Sequence, residues 1–207
     1  MRGAIGGVLL AVWLAATAAA AETGTEFEPG AYFGLGAVYA FENFSFDSDN
    51  LGMASILGPG VDPEFDDSAG AHVQIGYRAR SWLGVEFLYE FLEGFDSTQG
   101  SPDVEIDSHL FVFDAKLYPL EQRWHSLEPY LLGGLGAHWI NSEVVDFAVK
   151  KPFESDVGFV GRLGGGVAYH ATRHFVVELE GSYQLGQGGI VRYARYGSLA
   201  LHFIYRM

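Results

Sequence analysis

Cysteine is absent from the 207-residue chain. That excludes disulfide staples, thiolate zinc sites, iron–sulfur clusters and cysteine nucleophiles. Basic residues are scarce: 12 Lys and Arg stand against 26 Asp and Glu, a formal charge of −14. A surface short of positive charge does not neutralise phosphates, so nucleic acid is excluded as a partner. No apolar run past residue 21 reaches the roughly 18 residues that a membrane-crossing helix needs. Proline is sparse, at 7. What the chain has in plenty is glycine (28) and aromatic residues (16 Phe, 11 Tyr, 4 Trp), with 49% of positions hydrophobic and 18% charged. Disorder needs a polar, aromatic-poor composition, so this chain folds. Its length suits one domain of barrel or sandwich size.

Residues 1–21 read as an address rather than as structure. Arg2 supplies a positive start, Ala4 to Ala16 an apolar run, and Ala18 to Ala21 a small-residue cleavage site ahead of polar Glu22. This is the pattern of a secretory signal peptide. The apolar run is short for a spanning anchor. The expected mature domain occupies residues 22–207, outside the cytoplasm.

That domain alternates with period two in eight segments, the mark of half-buried strands. The spacing predicts strands at Ala31–Phe41, Gly70–Arg78, Trp82–Leu92, Ser108–Tyr118, Glu128–Ile140, Val157–His170, Phe175–Gln184 and Tyr196–Arg206. In the third, Leu83, Val85, Phe87, Tyr89 and Phe91 line one face, and Gly84, Glu86, Leu88 and Glu90 the other. Glycine is dense on the polar faces, where it makes room for long neighbours in a narrow lumen. Connections alternate too. Ala79–Ser81, Pro119–Leu127 and Ala171–His174 are short; Glu42–Ala69, Glu93–Asp107 and Asn141–Asp156 are long.

Eight antiparallel strands with short turns at one end and long loops at the other describe an all-β, up-and-down transmembrane β-barrel, preceded by a cleaved signal peptide. Closure leaves no strand edge in lipid. Trp82, Trp124, Tyr118 and Tyr130 fall near the short-turn end, where an interfacial aromatic girdle is expected. A soluble lipocalin-type barrel or a sandwich shows the same alternation. Two features favour the membrane: the polar row is rich in small residues, and it lacks the lysines of a soluble surface.

Particular segments carry a family resemblance. The run Gly30-Ala31-Tyr32-Phe33-Gly34-Leu35-Gly36 resembles the opening strand of OmpA-like small outer-membrane barrels. Pro129-Tyr130-Leu131-Leu132-Gly133-Gly134-Leu135-Gly136 resembles their mid-chain strand. The stretches Gly164 to Tyr169 and Val177 to Tyr183 resemble their sixth and seventh strands. The resemblance implies residence in a Gram-negative outer membrane, contact with its lipid and lipopolysaccharide, and insertion by the outer-membrane assembly machinery.

The pattern turns Glu86, Glu90, Asp114, Glu178 and Glu180 inward, with Arg78, Lys116, Arg162 and Arg206, and with His72, His138, His170 and His202. The expectation is a nearly charge-balanced lumen network built on His72, Arg78, Glu86, Glu90, Asp114, Lys116, Arg162, Glu178, Glu180 and His202, since unpaired buried charge is costly. His72 is expected across from Glu90, and Arg162 against the space left by Gly136. A structural or surface-interaction role follows. The alternative is a narrow porin-like channel lined by Glu86, Asp114, Lys116 and Arg162, or an OmpW-like path along apolar Leu88, Leu110, Val112, Leu132 and Val160.

The loops carry the negative charge. Residues 42–69 and 93–107 hold seven and five acids with no Lys or Arg. Asp47, Asp49, Asp62, Asp66 and Asp67 are oxygen donors suited to a hard cation, although no twelve-residue calcium loop is present. Arg78, Arg80, Arg123, Arg173 and Arg206 gather at the short-turn end. A third reading is a lipid-modifying enzyme. Ser182 and Ser198 with His202 and Glu178 are the nearest approach to a nucleophile, base and orienter. They point inward, and no Gly-X-Ser-X-Gly elbow occurs. No catalytic residue or cofactor is therefore assigned. The seven histidines show no metal-ligand spacing on one face; His170 and His174 are expected to meet across their turn.

Overall fold

The computed structural model describes residues 29–42, 67–96, 103–120, 126–146, 149–187 and 194–207. Eight strands run in chain order: β1 (Gly30–Glu42), β2 (Ser68–Arg80), β3 (Leu83–Asp96), β4 (Asp103–Leu117), β5 (Leu127–Asp146), β6 (Val149–His170), β7 (Phe175–Gln187) and β8 (Ala194–Arg206). Each pairs antiparallel with the next, and β1 also pairs with β8, so the sheet closes into a barrel. With no free edge, the ladder satisfies the backbone polar groups internally, as lipid requires.

One parity rule governs the wall. Where burial is described, even-numbered residues point inward along all eight strands and odd-numbered residues outward, except for Arg80, which is exposed past the irregularity at the end of β2. The outer surface is apolar: Phe113 is 70% exposed and Phe203 62%. The inner surface holds nine buried Asp, Glu, Lys and Arg side chains among the described residues. A protein folded in water buries the first set and exposes the second. This inside-out distribution fits a hydrocarbon surround.

The structure corrects three expectations. Tyr118 and Tyr130 are not girdle residues; both carry even numbers and are buried inside, with their rings 5.7 Å apart. Outward aromatic residues at this end are instead Tyr77, Trp82, Tyr169, Phe175 and Tyr205. Trp124 lies outside the described residues. The expected loop Asn141–Asp156 is mostly strand: β5 and β6 stay paired out to Asp146 and Val149. Asp96 likewise remains paired with Glu105 at the far end of β3 and β4. The expected signal peptide, residues 1–21, lies outside the described residues.

Candidate functional site

The lumen is built in tiers. Nearest the short turns, Arg78 of β2 donates from its two terminal nitrogens to the two carboxylate oxygens of Glu128 in β5, at 2.6 and 2.7 Å. Its guanidinium lies 3.5 Å over the ring of Tyr118. His170 Nε2 is 2.9 Å from the same carboxylate. This fork-to-fork pairing is the geometry in which a buried guanidinium is tolerated.

One tier further in, Lys116 of β4 is completely enclosed. Its Nζ is 2.9 Å from both Glu86 and Glu178, and 3.8 Å from Glu180. Tyr32 donates to Glu86 at 2.9 Å. Tyr130 donates to Glu178 at 3.2 Å and to Glu180 at 2.9 Å. Beside this tier, Arg162 of β6 bridges Asp114 of β4, at 2.5 Å, to Glu180 of β7. Gly134 stands between them; a Cβ there would lie 1.9 Å from an Asp114 carboxylate oxygen.

A third branch climbs toward the long-loop end. Glu90 bonds His72 Nε2 and accepts a 2.5 Å bond from the Tyr196 hydroxyl. His72 Nδ1 is 2.7 Å from His202 Nε2, and the two rings stack. His202 Nδ1 is 3.9 Å from Glu178. Higher still, Ser108 lies 2.6 Å from His138 Nε2, near enclosed Leu110, Val112 and Val160.

All ten residues of the expected network are buried, and the bonds above link nine of them into one neighbourhood. Arg78 stands apart with Glu128 and His170. His72 pairs with Glu90 in register. Arg162 pairs with Gly134, not Gly136, whose partner is Val160. The interior is also less balanced than expected. Glu128 joins the five inward acids, and Arg206 sits half-buried at the rim. Six buried carboxylates thus face three buried Lys and Arg among the described residues. His170 and His174 do not meet: His174 turns to the Arg206 carbonyl and stacks on Tyr205. The sequence reading leaves Glu128 and Tyr196 unassigned and sets Tyr130 in the girdle, although the even numbers mark all three as inward.

Chemically, the tiers are fixed charges held by opposing fixed charges. The Ser182 and Ser198 hydroxyls bond each other at 2.9 Å and both receive the Gln184 amide, so neither is set against His202. Of the five candidate cation ligands, only Asp67 is described. It is exposed, and its carboxylate accepts the Tyr39 hydroxyl. Asp47, Asp49, Asp62 and Asp66 lie outside the described residues.

No curated protein matches the chain. Among solved structures it is similar to Neisserial surface protein A, with a TM-score of 0.58 at 15% identity, covering 87% of this chain and 100% of that one. It is similar to Ail, the attachment invasion locus protein of Yersinia pestis, with a TM-score of 0.53 at 16% identity, covering 88% and 100%. OprG from Pseudomonas aeruginosa gives 0.53 at 15%, covering 86% and 96%. At such identities the likeness speaks to the fold alone. The model of the outer membrane protein beta-barrel domain matches residues 7–190. This chain therefore belongs to that family and is a protein of the outer membrane.

Proposed function

We propose that this barrel is a closed, non-enzymatic outer-membrane protein that acts through its surface rather than through its lumen. The observation that carries this reading is the crossbar made by Arg162 and Lys116. Arg162 is 1% exposed and Lys116 0%, and their charges bind acids from β3, β4 and β7 across the interior. A solute path needs those contacts broken. Removing one partner of a buried pair costs about 3–5 kcal/mol, because the other charge is left without a counter-ion. Spontaneous opening is then rare. The apolar inward residues Leu88, Leu110, Val112 and Val160 are fully enclosed, so they support filling rather than an open hydrophobic path.

The working surface is then the long-loop end. Ail has been solved in complex with the heparin analogue sucrose octasulfate. Two loop segments here hold twelve acids and no base (residues 42–69 and 93–107), which repels such a polyanion. The partner suited to them is positively charged: a basic surface, or divalent ions bridging to lipopolysaccharide phosphates. Lipid, lipopolysaccharide and the outer-membrane assembly machinery are the remaining partners of this reading.

Conductance of the full chain, purified from outer membranes and placed in a planar bilayer, tests it. Wild-type protein is expected to stay silent, while Arg162→Ala gives discrete current steps. Steps of similar size from the wild type would replace this reading with the channel.

A further inference from the structure

Glu178 and Glu180 share the inner face of β7, and His202 of β8 is the cross-strand partner of Glu178. One donor atom from each lies within 4.8 Å of the other two, and all three residues are buried. Carboxylates gathered in a lumen do not by themselves make a site. The second observation is the direction of His202. Its side chain is fully enclosed, and its Nδ1 has no hydrogen-bond partner among the described residues.

With His72 neutral, the bonds behind His202 set what that nitrogen carries. An ionised Glu90 only accepts, so His72 Nε2 bears a hydrogen and donates to it. His72 Nδ1 is then a bare acceptor and receives the hydrogen on His202 Nε2, 2.7 Å away. That leaves His202 Nδ1 with a lone pair, 3.9 Å from Glu178 and aimed at acceptor-only oxygens. Three electron-rich groups converge; Lys116 and Tyr130 donate to the carboxylates from one side, and nothing joins His202 Nδ1 to either. The relay Glu90–His72–His202 is also the outer-shell arrangement that orients a ligating imidazole and raises its basicity. Charge points the same way. Around this spot Glu86, Glu90, Asp114, Glu178 and Glu180 face Lys116 and Arg162 as the only fixed cations among the described residues.

We propose that Glu178, Glu180 and His202 form a binding site for a divalent transition-metal ion inside the barrel. One imidazole and two carboxylates suit zinc or cobalt(II) better than calcium or magnesium, which favour all-oxygen shells. Zinc bonds nitrogen and oxygen donors at about 2.0–2.2 Å, so the side chains close in by roughly an ångström on binding. Glu178 also lines a cavity of about 20 Å³, room for one water, whose other walls include Glu128, His170 and Arg206 at the short-turn end. Lys116, 2.9 Å from Glu178, is the resident competitor. The site is independent of whether the lumen conducts.

The test uses the full chain purified in detergent from outer membranes and stripped with chelator, with folding checked by its heat-dependent gel shift. Cobalt(II) is the probe, read by visible absorption and by titration calorimetry, with zinc as competitor. The wild type is expected to give the intense bands of a low-coordinate nitrogen-and-oxygen site, bleached by zinc. His202→Gln, which keeps a polar side chain in place, should weaken that binding at least about tenfold. Lys116→Met should tighten it. Absence of those bands in folded wild-type protein overturns the proposal. So does binding that His202→Gln leaves unchanged, since it belongs to the loop acids.

Discussion

At Gly134 even a single added carbon has no place to go. A Cβ there lies 1.9 Å from the Asp114 carboxylate and 2.6 Å from the Phe113 carbonyl, and the carbonyl moves only with its strand. Gly134→Ala should therefore cost about 1–3 kcal/mol of stability, by overpacking and by displacing the carboxylate that holds Arg162. Gly161, on the outer face, provides the control. Its Cβ meets nothing nearer than Leu135 at 4.0 Å, so Gly161→Ala should stay within about 0.5 kcal/mol of wild type. Urea midpoints in lipid vesicles separate the two. Such spacing was only half legible in the sequence. Alternation identified the glycines as lumen-facing and Arg162 as inward. It did not fix which glycine faces which arginine, because that depends on strand register, and the register here sets Arg162 against Gly134 rather than Gly136. Tyr118 and Tyr130 escaped for another reason. An aromatic residue near a membrane surface suggests a girdle, but parity turns both rings inside, where Tyr118 lies under the Arg78 guanidinium and the Tyr130 hydroxyl donates to Glu178 and Glu180.

Among the elements, β5 and β6 exceed what the membrane asks. They run 20 and 22 residues, where about 9–11 suffice to cross. Beyond Trp139 and Val157 the hairpin continues for about seven residues a side, roughly 20 Å at the rise of an extended strand. The sequence hides this extension. Residues 141–156 mix Glu, Asp, Lys and Pro in a run that reads as a loop. A two-stranded ribbon in water faces no lipid on either side, so the alternation that marks the barrel strands has no reason to persist. The same physics makes the extension dispensable to the barrel. Replacing residues 143–153 with Asn-Gly, between the paired Ser142 and Glu154, supplies a two-residue turn that matches strand twist. The shortened chain should still fold and keep its heat-dependent gel shift. Its loss would mean that the ribbon nucleates assembly of the wall.

For the whole molecule, eight strands were readable because one parity holds from β1 to β8. Every connection preserves it, so even positions stay inward along the described barrel wall. A barrel of this size has just enough interior for side chains to fill, which turns an alternating pattern into a packed polar core. Orientation is the remaining global property, and it follows from the two unlike ends. Short turns join β2 to β3 and β6 to β7, while acid-rich segments lie at the opposite end. In bacterial barrels short turns face the periplasm and long loops face outward. The absence of native cysteine makes this directly measurable, since any introduced thiol is the sole thiol. A membrane-impermeant maleimide added to intact cells should label Ser55→Cys, within residues 42–69. It should reach Thr172→Cys, in the turn after β6, only once the outer membrane is permeabilised. Labelling of Thr172→Cys alone on intact cells would invert the barrel and move the acidic surface to the periplasm, where a partner on the cell exterior has no access to it.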